Sequence, residues 1–69
     1  MSINNPSATD SRLLREADAA KYLAMSVMFL RMSRHKRTAG PAFIKLGRAV
    51  RYRLEDLDSW LLKNRHELQ

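Results

Sequence analysis

Apolar positions recur along this chain first at the spacing of a helix, then at that of a strand, then again at that of a helix. The earliest helical stretch is expected over about Glu16–Leu23, where Ala19, Ala20 and Leu23 share one face. The two alanines let another helix approach closely. Glu16 and Asp18 fall in its first turn, where carboxylates suit the positive end of the helix dipole. Leu14 sits just outside, placed to staple the helix start. Ala24-Met25 breaks the pattern, and Ser26 is a natural N-cap for a second helix over about Val27–Lys36. On a wheel of about 100° per residue, Ser26, Phe29, Leu30 and Ser33 fall on one side, so that Phe29 and Leu30 point inward. Val27, Met28, Arg31, Met32 and His35 fall on the other side, with Arg34 at the border.

The segment Arg37-Thr38-Ala39-Gly40-Pro41 is expected to be a loop because of its Gly-Pro pair. Phe43–Leu46 and Ala49–Arg53 have the pattern of two short strands around the turn Gly47-Arg48, which makes a hairpin. Val50 and Tyr52 would face the core, and Arg51 and Arg53 would face out. A last helix is expected over about Leu54–Arg65, with Glu55, Asp56 and Asp58 in its first turns. Leu57, Trp60 and Leu61 form its buried stripe, and Trp60 is the largest residue of a small core. The expected architecture is mainly α with a small β-hairpin, in the order helix, helix, strand, strand, helix. That is the order of a winged helix-turn-helix.

Length permits one domain: 69 residues lie near the lower limit of what folds without a staple, and there is no cysteine to supply one. Residues 1–12, rich in Ser, Asn, Pro and Thr, are expected to be a disordered tail, the domain to span 13–65, and 66–69 to be a short tail. His35 and His66 are too far apart in sequence for a zinc motif. No cofactor or metal is expected. No apolar run approaches the roughly 20 residues that span a bilayer, and the first ten residues lack the basic and apolar regions of a signal peptide. A cytoplasmic protein is the expectation.

Charge changes the picture more than length does. The net charge is +6, which points to an anionic partner. No acid lies between Asp18 and Glu55, an interval holding Lys21, Arg31, Arg34, Lys36, Arg37, Lys45, Arg48, Arg51 and Arg53. A surface chosen only for solubility would mix the signs. The middle of the chain is therefore expected to build one basic face, suited to double-stranded DNA. An enzyme is not expected: no general base has a positioned partner, and there is no phosphate loop or metal cluster.

Leu13-Leu14, Ala19-Ala20, Leu23, Ser26, Leu30, Gly40-Pro41, Phe43-Ile44-Lys45-Leu46-Gly47-Arg48, Val50-Arg51-Tyr52-Arg53 and Asp56-Leu57-Asp58-Ser59-Trp60-Leu61 together resemble the excisionase/AlpA family. These are small MerR-like winged-helix proteins of phages, prophages and integrative elements. The resemblance covers about residues 13–65, and the block from Gly40 to Leu61 is its specific part. It implies a bacterial or phage protein, nucleoid-associated, whose second helix enters the major groove while its wing touches backbone or minor groove. It also implies a recombination directionality factor, a transcriptional regulator of element genes, or both. The sequence departs from the pattern at Met28 and Met32, where relatives mostly carry polar or basic residues.

Candidate DNA contacts follow from these placements, each beside a plainer alternative. Arg31 and Arg34 are base or phosphate contacts, since a bidentate arginine on guanine is the commonest specific major-groove contact; the alternative is a solvated arginine. Ser26 donates to a phosphate or is simply an N-cap. His35 is a phosphate contact or an exposed histidine favoured by the helix dipole. Val27, Met28 and Met32 pack on thymine methyl groups, form a protein interface, or belong to the core. Arg48 at the wing tip, with Lys45, Arg51 and Arg53 on the strands, holds phosphates or reaches the minor groove; charges that blunt a strand edge are the alternative. Lys36 and Arg37 are backbone contacts, whereas Lys21 and Lys63 are solvent charges.

A different class of function is a protein-interaction module that docks an integrase, a repressor or RNA polymerase. Its surface would be the acidic start of the last helix and the exposed methionines. One reading helix and one wing cover few base pairs, burying roughly 600–1,000 Å², and only His66-Glu67-Leu68-Gln69 follow the last helix. Weak, cooperative self-association on repeated DNA sites is therefore expected instead of a stable dimer.

Overall fold

A computed structural model of the chain describes residues 13–37 and 39–67. The expected tail of residues 1–12 lies outside them, as do Thr38 of the loop and residues 68–69. Three helices and a three-stranded antiparallel sheet make a mixed α/β domain. In chain order they are β1 (Leu13–Arg15), α1 (Glu16–Leu23), α2 (Val27–Lys36), β2 (Ile44–Leu46), β3 (Ala49–Arg53) and α3 (Leu54–Lys63). The helices α1 and α2 and the strand β3 have the bounds expected from the sequence. Strand β2 begins one residue late, and α3 stops two residues early, at Asn64, whose side-chain amide donates to Trp60 O at 2.8 Å.

The first strand is a correction to a sheet expected as a plain hairpin. Sheet order is β1-β3-β2, so β3 is central. Leu14 pairs with Tyr52, and its role is to close one edge of the sheet as well as to start α1. On the other edge Leu46 pairs with Ala49 around Gly47-Arg48. Gly47 has φ +65 while Arg48 keeps a negative φ, the glycine-first pattern of a type II′ hairpin turn.

Helix ends are set by local chemistry. Ser26 Oγ accepts from Phe29 N–H at 3.0 Å, the N-cap that the sequence indicates. Helix α1 closes in a Schellman motif: Ala24 takes φ 57, Met25 N–H bonds Ala20 O at 2.9 Å, and Ala24 N–H bonds Lys21 O at 3.0 Å. Three residues thus separate α1 from α2. After α2 the chain returns through Gly40, whose φ is +110. A Cβ there would lie 2.5 Å from Ser33 Oγ, so only glycine lets the loop pass this close to α2.

The core is small. Ala19, Ala20, Leu23, Leu30, Tyr52 and Leu57 are buried, with Leu14, Val27, Phe29, Phe43, Val50 and Trp60 packed around them. Helix α1 touches α2, α3 and β3, and its alanines permit that close approach. Two expectations for α3 change. The largest fully buried side chains are Tyr52, Leu30 and Leu57, whereas Trp60 is half-buried at the rim, its ring 5.7 Å from that of Phe29. Leu61 is exposed, because α1 and β3 cover only a narrow stripe of α3 and leave the next residue round in solvent.

Candidate nucleic-acid interface

Between α2 and the β2–β3 hairpin runs an open groove of about 390 Å³. It is lined by Arg31, Arg34, His35, Arg37, Lys45 and Arg48, with Phe43 and Val50 at its floor. Five of these residues are permanent cations, and none is an acid. The sheet explains the convergence: pairing of Ile44 with Arg51 and Leu46 with Ala49 carries the turn residue Arg48 beyond the strand ends. Helix α2 then presents Arg31, Arg34 and His35 from the facing side.

A second cleft, of about 410 Å³, adjoins the first and shares Arg31, Arg34, Arg48 and Val50 with it. Arg15, Glu16, Ala17 and Arg51 complete its lining. Here one carboxylate stands among five arginines. Glu16, the first residue of α1, takes Arg31 Nε on both oxygens and Arg31 Nη2 on Oε1, each at 3.1 Å. Its Oε2 accepts from Arg34 Nη1 at 2.9 Å. The hydrogen bond from Arg31 is the main reason its carboxyl titrates below the usual range; partial burial opposes the shift, and Arg34 adds to it. Glu16 is accordingly a carboxylate at any pH at which the protein would work.

The two α2 arginines differ in freedom. The side chain of Arg34 is 19% exposed. Its Nη1 also donates to Tyr52 Oη at 2.8 Å, and its guanidinium lies 5.9 Å from the Phe43 ring centroid. Arg34 therefore ties α2 to β3 and to α1, satisfying the phenol of a fully buried tyrosine. Arg31, with its side chain 58% exposed, engages Glu16 through the Nε–Nη2 edge and leaves the Nη1–Nη2 end toward solvent.

The remaining candidate residues sort as follows. Ser26 is exposed and caps α2; His35, Lys36 and Arg37 are exposed at its C-terminal end. Met28 and Met32 are 60% and 46% exposed, so they lie outside the core. Val27 does not share their surface: it is half-buried against the core, because the first turn of α2 packs directly on α1. Lys45 and Arg48 are exposed on the hairpin, and neither has an ion-pair partner among the described residues. Arg51 is half-buried and donates to the carbonyl of its neighbour Val50 at 2.9 Å. Arg53 stands apart from the cleft lining and pairs with Glu55 at 2.5 Å and Asp56 at 3.8 Å, which makes it a brace for the start of α3.

Glu16, Phe43 and Tyr52 belong to the site and were missed as such in the sequence. Glu16 fits a generic first-turn acid, two residues from Asp18 and outside the acid-free interval, so nothing in the sequence sets it apart. No helix among the described residues is long and apolar enough to cross a membrane. The same residues hold no group of three or more histidines or acids placed to bind a metal. Compared with known proteins, the chain matches no family model and no curated protein.

Proposed function

We propose that this chain is a sequence-specific double-stranded DNA-binding protein of the winged helix-turn-helix type, similar to the excisionase/AlpA family. It would act as a recombination directionality factor, a transcriptional regulator of a phage or integrative element, or both, by binding and not by catalysis. The observation that carries this reading is the acid-free groove between α2 and the hairpin, lined by Arg31, Arg34, Arg37, Lys45 and Arg48. Its cations are spread over a helix and a hairpin, as expected of a reading helix in the major groove and a wing on the adjoining backbone. Copies would bind side by side on repeated sites, since one such module covers few base pairs.

Arg48 supplies the test. It is exposed at the hairpin tip and has no ion pair among the described residues, so its charge is available to a phosphate. Arg48→Ala is expected to weaken binding to specific and random duplexes alike. It should also make the slope of log K against log salt shallower by about one unit. Titrations of both duplexes at several salt concentrations measure this, and an unchanged slope removes the wing tip from the interface.

The alternative, a module that docks an integrase, a repressor or RNA polymerase, draws support from exposed Met28, Met32 and Leu62. An apolar interface of that kind would show little salt dependence, whereas phosphate contacts lose affinity steeply with salt.

A further inference from the structure

A carboxylate in a cleft built for phosphates weakens binding unless it does something else there. Glu16 stands in that position: its side chain is 21% exposed, and Arg15, Arg31, Arg34, Arg48 and Arg51 line the same cleft. Relief of repulsion between Arg31 and Arg34 explains its charge but not its geometry. The carboxylate is forked on the Nε–Nη2 edge of Arg31, with three bonds of 3.1 Å. Five N–H donors make up a guanidinium. This grip uses the donors of the side edge and leaves the end edge, one Nη1 hydrogen and the outer Nη2 hydrogen, pointing along the side-chain axis. That remaining pair is the geometry a guanidinium uses toward guanine O6 and N7.

Building on the DNA-binding reading above, we propose that Glu16 is a positioning and specificity-determining residue. It holds Arg31 with its end-on edge presented for a guanine and makes the cleft a poorer site for phosphate. Two effects act together. The fork fixes a long side chain that would otherwise be ordered only on binding, which lowers the entropic cost of a correct base contact. The negative charge also penalises any binding mode in which Arg31 merely neutralises the backbone, so random DNA loses more than the correct site. Arg34 shares the acid but is held by Tyr52 as well, so Arg31 is the arm through which Glu16 acts.

The experiment compares affinity for a duplex selected from a random pool with affinity for a random-sequence duplex. It uses the wild type, Glu16→Gln, Glu16→Asp, Arg31→Ala and the double variant Glu16→Gln/Arg31→Ala, each checked for folding by circular dichroism. Glu16→Gln is expected to bind random duplex more tightly and to lower the specific-to-random ratio roughly tenfold, within the range a bidentate arginine–guanine pair supplies. Glu16→Asp keeps the charge but shortens the reach, so the ratio should fall with no gain on random DNA. In the Arg31→Ala background, Glu16→Gln should leave the ratio where Arg31→Ala alone puts it. A folded Glu16→Gln variant with the wild-type ratio overturns the proposal. So does an equal, independent loss in the Arg31→Ala background, which would make the role purely structural. Should Glu16→Gln fail to fold, Glu16→Asp decides alone, and an unchanged ratio there also overturns the proposal. A wild type that binds neither duplex overturns the DNA-binding reading itself, a separate outcome.

Discussion

Leu30→Ala will unfold most of this protein at room temperature, or lower its melting temperature by more than about 10 °C. Leu30 is fully buried on α2 and is one of the three largest side chains to be so. Truncating a buried leucine costs about 2–5 kcal/mol, because the transferred methyl groups are lost and a cavity remains. A domain of 69 residues has only about 3–10 kcal/mol of stability in total. The neighbours cannot close the gap by moving in: Ala19 and Ala20 have no side chain to extend, and Tyr52 is held through Arg34. Thermal melts followed by circular dichroism check this. A variant melting within a few degrees of wild type would mean that α2 is held by its surface contacts and not by the core.

Arg31→Ala is expected to weaken specific duplex binding by about 1–3 kcal/mol and to relax preference at one base pair, leaving random-duplex affinity less affected. The side chain is the most accessible guanidinium on α2, and its outer edge has no partner among the described residues. Folding should survive, since the Glu16–Arg34–Tyr52 chain stays intact. Competition binding with duplexes altered one base pair at a time reads the result. A uniform loss across all sequences would move Arg31 from a base to a phosphate.

Much of the fold was legible because its signals are local. Capping by Ser26, the helical period of α1 and α2, and the glycine-led turn at Gly47 all act within a few residues, so a single sequence displays them. Strand β1 was not legible: three residues, Leu13-Leu14-Arg15, are too few to show alternation. They become a strand only because β3 offers them a ladder, with Leu14 opposite Tyr52. The exposure of Leu61 escaped for a related reason, since the width of the covered stripe on α3 depends on how α1 and β3 sit, not on the period of α3. In the site, the basic block of the sequence does converge, because one helix and one hairpin carry most of it. Which cations are free was not legible. Arg34 and Arg53 carry the same charge as Arg48, but their partners, Glu16 and Tyr52 for one and Glu55 and Asp56 for the other, are set by packing. The wheel could not settle Val27 for the same reason: it lies on the polar side by angle and against the core by contact.

Selection of bound sequences from a pool of random double-stranded DNA tests the central claim most directly. Recovery of one short shared motif, often repeated in direct orientation among the survivors, is the result predicted for α2 and its wing reading DNA. Survivors that share no motif beyond the starting pool would contradict it, leaving the groove as a non-specific anionic surface or a docking face for another protein.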